Sequence, residues 1–147
     1  MPSQPQALRL ELMLGDRRLA ACRVLPEAVV QASRRLYDEF RASSAACGMA
    51  MTDEEIRVTC WAPLAARLSA DVADSQAAAF AELALCFLVD AAFPLPGAGE
   101  SYTVTIAADG KVTVERRPHR LLARDRIVLG NHRKAMVPFA SGAAGTR

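Results

Sequence analysis

Residues 8–29, LRLELMLGDRRLAACRVLPEAV, decide the fold. Leu8, Leu10, Leu12 and Leu14 recur at every second position around Arg9 and Glu11, the period of a strand with one buried face. Gly15 and Asp16 offer the positive backbone angles of a tight turn, and Arg18 to Val24 returns with Ala20, Cys22 and Val24 on one side. Pro26 suits the first turn of a helix, where its missing N–H costs nothing. From Glu27 to about Ala42, Val29, Ser33, Leu36 and Phe40 form a single stripe, with Arg34, Arg35, Asp38, Glu39 and Arg41 mostly away from it. The expectation is a hairpin with a helix lying on it.

Further along, Ser43 to Thr52 reads as a loop. Ile56, Val58 and Cys60 alternate with Arg57, Thr59 and Trp61 as a third strand. Pro63 to Ala70 suits a short helix, and Asp71, Asp74 and Ser75 are candidate caps for a longer one from Gln76 to Phe93. That second helix is apolar on almost every side, so it is expected between the sheet and either the first helix or a second subunit. PLPGAGE, residues 94–100, breaks it. Tyr102, Val104 and Ile106 then alternate with threonines up to Asp109-Gly110, the strongest hairpin signal in the chain, and Lys111 to Glu115 returns. Pro118 to Arg124 suits a short helix, residues 126–137 a third hairpin around Gly130-Asn131, and 141–147 a frayed tail. The pattern predicts one α+β domain over residues 1–140. It is a two-layer sandwich: a mainly antiparallel sheet of five to seven strands with two principal helices on one face.

At 147 residues, 52% hydrophobic and 23% charged, the chain is sized and composed for one packed domain. A formal charge of +2 imposes no nucleic-acid or membrane role. Cys22, Cys47, Cys60 and Cys86 are widely spaced without a CxxC and read as reduced core thiols. Residues 1–14 lack the pattern of a secretory leader. The apolar stretch from Ala77 to Phe93 carries Glu82 and Asp90, which are costly inside a bilayer. These features point to the cytoplasm, and the preference for arginine over lysine, 16 to 2, reflects the genome, which we take to be bacterial, rather than function.

Most chemistries lack a spelling here. His119 and His132 sit among basic residues that repel a cation, so no metal site is expected, and nothing points to a cofactor. There is no GxSxG turn, and Gly97-Ala98-Gly99 precedes a strand instead of opening a helix after one, so it is a linker and not a phosphate loop. Glu82 and Asp90, on an apolar helix, are the carboxylates whose pKa burial would raise toward the acid–base range. Eight residues apart, they stand roughly 12 Å from each other along a helix, too far for a dyad. Asp53, Glu54 and Glu55 read as a solvated run. Trp61 and Tyr37 are the aromatic candidates for contact, with Trp61 read as a core lid.

Charge is unevenly spread. Residues 45–100 hold two arginines against eight acids, and residues 101–147 nine basic residues against Asp109, Glu115 and Asp125. Arg116, Arg117, Arg120, Arg124, Arg126, Arg133 and Lys134 cluster within nineteen residues, a candidate surface for a partner or an anion. The bland alternative is that these residues pair with the acidic middle of the chain. Nucleic acid is disfavoured because the only aromatic after Tyr102 is Phe139. The expected function is therefore a small non-enzymatic cytosolic protein that binds another protein, as an adaptor, accessory or neutralising factor, and self-associates through the apolar second helix. Two alternatives stand beside it: binding of nucleic acid or a phosphorylated ligand through the basic third, and a small enzyme using Glu82 or Asp90 in a cleft.

Overall fold

The structure is a computed structural model that describes residues 6–70, 77–94, 96–97, 99–117 and 125–134. The expected frayed tail and the segment 118–124 lie outside the described residues. Nine elements follow in chain order: strands β1 (Leu8–Leu14) and β2 (Arg17–Val24), helices α1 (Pro26–Ala46), α2 (Asp53–Thr59), α3 (Trp61–Ala70) and α4 (Ala77–Ala92), then strands β3 (Ser101–Ile106), β4 (Lys111–Arg117) and β5 (Asp125–Asn131). The strands form one sheet in the order β2-β1-β3-β4-β5. Three neighbouring pairs are antiparallel and β1·β3 is parallel, so the sheet is mixed. The α+β sandwich read from the sequence is the observed architecture.

The two hairpins form where the alternation and the turn residues place them. Gly15 takes φ 65° at the first turn, a conformation a side chain would strain. Between Leu12 and Met13 the register shifts, Leu12 facing Ala20 and Met13 facing Arg18. Leu8, Leu10 and Leu12 of β1, Tyr102, Val104 and Ile106 of β3, and Val112 and Val114 of β4 are buried together on one face. Each such side chain contributes roughly 1.5–3 kcal/mol by leaving water.

Helix α4 covers that face. Its residues Ala84 to Val89 are all buried, and it touches every strand of the sheet as well as α1 and α3. On the far side the Phe87 ring meets Tyr37 at 5.1 Å and Phe40 at 5.8 Å, both from α1. Of the two expected covers for α4, the first helix is the one observed. Helix α1 accordingly packs on α4 and α2, and not on the first hairpin as its sequence position implied.

The strand expected at residues 56–61 is instead the end of α2 and the start of α3. Thr52 and Glu55 form a capping box: the Thr52 hydroxyl accepts from the Glu55 N–H at 3.2 Å, and the Glu55 carboxylate accepts from the Thr52 N–H at 3.0 Å. With the helix started there, Ile56 is fully buried while Val58 is 56% exposed, an arrangement strand alternation forbids. Cap and core outweigh the β preference of Ile56, Val58 and Thr59. Helix α1 also runs to Ala46, into the expected loop, before Cys47 and Gly48 turn back on the carbonyls of Ser44 and Ala45.

No third hairpin follows β5 within the described residues. The chain makes a helical turn at 132–134, where the Asn131 side chain accepts from the N–H groups of Arg133 and Lys134 at 3.0 and 3.1 Å. The sheet therefore has five strands among the described residues. Among the described residues the helical layer holds four helices, of which α1 and α4 are the two long ones.

The open face of the sheet as a candidate binding surface

Alternation gives the sheet a second face, turned away from the helices. It presents Arg23 and Ala21 of β2, Arg9, Glu11 and Met13 of β1, Ser101, Thr103 and Thr105 of β3, and Thr113, Glu115 and Arg117 of β4, all exposed or half-buried. Arg126 of β5 joins them opposite Glu115. An open concavity of about 660 Å³ on this face is lined by Arg9, Glu11, Arg18, Arg23, Thr103 and Arg117, among others.

The basic residues singled out from the sequence do not form one patch. Arg116 turns to the helix side, in register with Tyr102 and Asp125, with its guanidinium 4.9 Å from the Phe93 ring centroid and paired with Asp125. Its hydrogen bond to Asp125 raises its pKa, and its buried Nε has no hydrogen-bond partner among the described residues. Arg117 and Arg126 reach the open face and flank Glu115 at 3.4 and 4.0 Å. Arg133 and Lys134 lie beyond Asn131 at the β3–β4 turn, a β4 length from Arg117, or roughly 20 Å. Arg120 and Arg124 lie outside the described residues, as does His119. The five described members of the cluster are thus divided between two faces and two ends of the sheet.

What the structure brings to Arg117 comes from the other end of the chain. Arg9 faces Arg23 across β1·β2 and Ser101 across β1·β3, and Ser101 faces Arg117 across β3·β4. Arg23, Arg9, Ser101 and Arg117 therefore form one transverse row. The outward alternation of Arg9 and Arg23 was visible in the sequence; their meeting with Arg117 depends on the parallel β1·β3 pairing, which leaves no local signal.

The other candidate chemistries are absorbed by packing or left at the surface. Glu82 is exposed. Asp90 is half-buried where α1 meets α4 and accepts from the Ser33 hydroxyl at 2.9 Å. Burial raises its pKa, opposed by the Ser33 bond and by Arg34 and Arg57. Trp61 is buried and donates its indole N–H to the Val58 carbonyl at 3.1 Å, and Tyr37 is buried against Phe87. His132 is buried, its Nδ1 2.8 Å from the Gly110 carbonyl oxygen. The Gly97 N–H donates to the Glu100 carboxylate at 3.0 Å, as a linker clasp. Asp53 is engaged by Arg34 at 3.0 Å and by Arg41, which ties α2 to α1.

All four cysteines are free, but they are not all core residues. Cys86 is buried, its thiol pushed up to about 12 by burial; Cys22 and Cys60 are half-buried, and Cys47 is exposed because α1 ends just before it. Among the described residues no group of three or more His, Cys, Asp or Glu could hold a metal ion, and no helix is long and apolar enough to cross a membrane. Comparison with protein-family models, with curated proteins and with solved structures finds no match for this chain.

Proposed function

We propose that the chain is a small non-enzymatic binding protein that docks the acidic surface of a partner protein on the open face of its sheet. The observation that carries this reading is the composition of that face: arginines 9, 18, 23, 117 and 126 against only Glu11 and Glu115, on strands that no described element covers. Threonines and Met13 between the charges supply contact area without a deep cleft, and arginine is among the residues enriched where proteins meet. The face spans roughly 20 Å by 20 Å, the scale of a weak or transient interface.

Described aromatic side chains are all on the helix side of the sheet or within the helices, so bases laid on the open face would find no ring to stack on. That favours a protein partner over nucleic acid. The apolar surface of α4, which motivated self-association, packs on α1, α3 and the sheet, which supports a different protein as the partner. Free thiols fit a reducing compartment, and we place the protein in the bacterial cytoplasm.

Affinity capture with nuclease treatment tests the reading. Wild type and a Gln31→Glu variant on the outer face of α1 should each retain the same stoichiometric protein, and Thr103→Glu/Thr105→Glu should lose it. Equal retention by all three overturns the docking face, and recovery of nucleic acid that vanishes with nuclease overturns the protein partner.

A further inference from the structure

Resting on the docking reading of the open face, we infer that the row Arg23, Arg9, Ser101 and Arg117 selects the partner by an extended acidic segment, lying across the strands, with a carboxylate at every second residue. Charge on the face is not evenly matched. In the neighbouring row Glu11 pairs with Arg18 at 3.4 Å, and Glu115 lies 4.0 Å from Arg126. In the row itself Arg9 and Arg23 make no ion pair with any described residue, and Arg117 reaches Glu115 only diagonally, at 3.4 Å with more than half of its side chain exposed. Positive charge without a described counter-ion is therefore concentrated at Arg9 and Arg23 of this line, and Arg117 shares Glu115 with Arg126.

Spacing then restricts the ligand. Strands lie roughly 4.8 Å apart, so Arg23 and Arg117, three strands distant, are about 14 Å from each other. An extended peptide places alternate side chains on one side at about 6.8 Å, so three carboxylates at i, i+2 and i+4 cover the same 14 Å. One carboxylate bridges Arg23 and Arg9, the second meets the Ser101 hydroxyl as its donor, and the third pairs with Arg117. The flexible arginine stems absorb the differences of an ångström or two. A phosphodiester strand offers charges too, but its bases would lie over the Glu11 and Glu115 row without a stacking ring.

The experiment is fluorescence anisotropy on the full chain at low salt, with a labelled Glu-Thr-Glu-Thr-Glu peptide, the permuted Glu-Glu-Glu-Thr-Thr peptide and a ten-nucleotide oligothymidylate as probes. The alternating peptide should bind tightest. Arg9→Ala and Arg23→Gln should each weaken it by about tenfold, as loss of a charge-assisted contact requires, while Arg133→Ala leaves it unchanged. Circular dichroism confirms that each variant is folded. Equal binding of the permuted peptide, insensitivity to Arg9→Ala and Arg23→Gln, or tighter binding of oligothymidylate overturns the inference. If no peptide binds while the captured partner is still lost with Thr103→Glu/Thr105→Glu, the row fails and the docking face stands. If both experiments fail, both readings fall.

Discussion

Ser33 on α1 and Asp90 on α4 are joined by a hydrogen bond of 2.9 Å, the Ser33 hydroxyl donating to Asp90 Oδ2 where the two long helices meet. Ser33 is 1% exposed, so this pair is the polar component of an otherwise apolar helix contact. Its energetics are pH-dependent. Burial raises the Asp90 pKa, so the folded state holds the proton more tightly than the unfolded chain does. The stability this contributes is complete below the ordinary aspartate value of about 3.9 and is lost as pH rises through the raised value. Asp90→Asn, which can still accept from Ser33, is expected to be more stable than wild type at pH 7 in urea titrations, with the difference closing as pH falls below about 4. A constant difference across that range would show that the Asp90 charge is not what costs stability.

Ser33→Ala should destabilise by about 2 kcal/mol, because it leaves a half-buried carboxylate without its hydroxyl donor. In the Asp90→Ala background the same substitution should cost much less. The double-mutant cycle, read by denaturant midpoint at unchanged slope, measures that coupling.

Gly130 sits against the Trp61 ring with φ 144°, and a Cβ there would stand 2.7 Å from the ring carbon Cζ2. Gly130→Ala therefore meets both backbone strain and overlap with a buried side chain, and should destabilise by roughly 1–3 kcal/mol. Combining it with Trp61→Phe removes the overlap but not the strain, so part of the loss should return. Full additivity of the two substitutions would mean that Trp61 yields freely.

Thr52→Ala removes half of the capping box and should cost about 1 kcal/mol, with faster hydrogen exchange at residues 53–57. The Thr52 N–H and the Thr52 hydroxyl both donate to the Glu55 carboxylate at 3.0 Å and hold its pKa below the usual range, so that contribution is present above the usual range and is lost as pH falls through the lowered value.

The thiols should separate by reactivity. Cys47 is exposed and should react with a disulfide reagent at the rate of a free thiol, Cys22 and Cys60 more slowly, and Cys86 only on unfolding, because burial holds it as the neutral thiol near pKa 12. Stepwise labelling read by mass spectrometry checks the order.

Both hairpins and the two long helices were legible because their signals are local: a two-residue period ending in Gly15-Asp16 or Asp109-Gly110, and apolar stripes after Pro26 and after residue 76. At residues 56–61 a local signal misled. Ile-Arg-Val-Thr-Cys-Trp alternates like a strand, yet the cap at Thr52 and the burial of Ile56 make it helical. The described members of the basic cluster separate for a related reason. Nineteen residues of sequence proximity do not survive folding into strands, since Arg116 and Arg117 are adjacent in the chain and on opposite sides of the sheet.

By itself the sequence determined which face of each hairpin strand meets the core, because side-chain direction alternates along a strand and only one phase is apolar. It also determined the chemistry of the opposite phase, with arginine, threonine and glutamate turned outward. Which outward residues stand together was decided only by the tertiary structure. The row from Arg23 to Arg117 exists because four helices carry the chain from β2 to a strand parallel to β1, and strand order is set by how those helices pack over the shared core and not by any residue in the row.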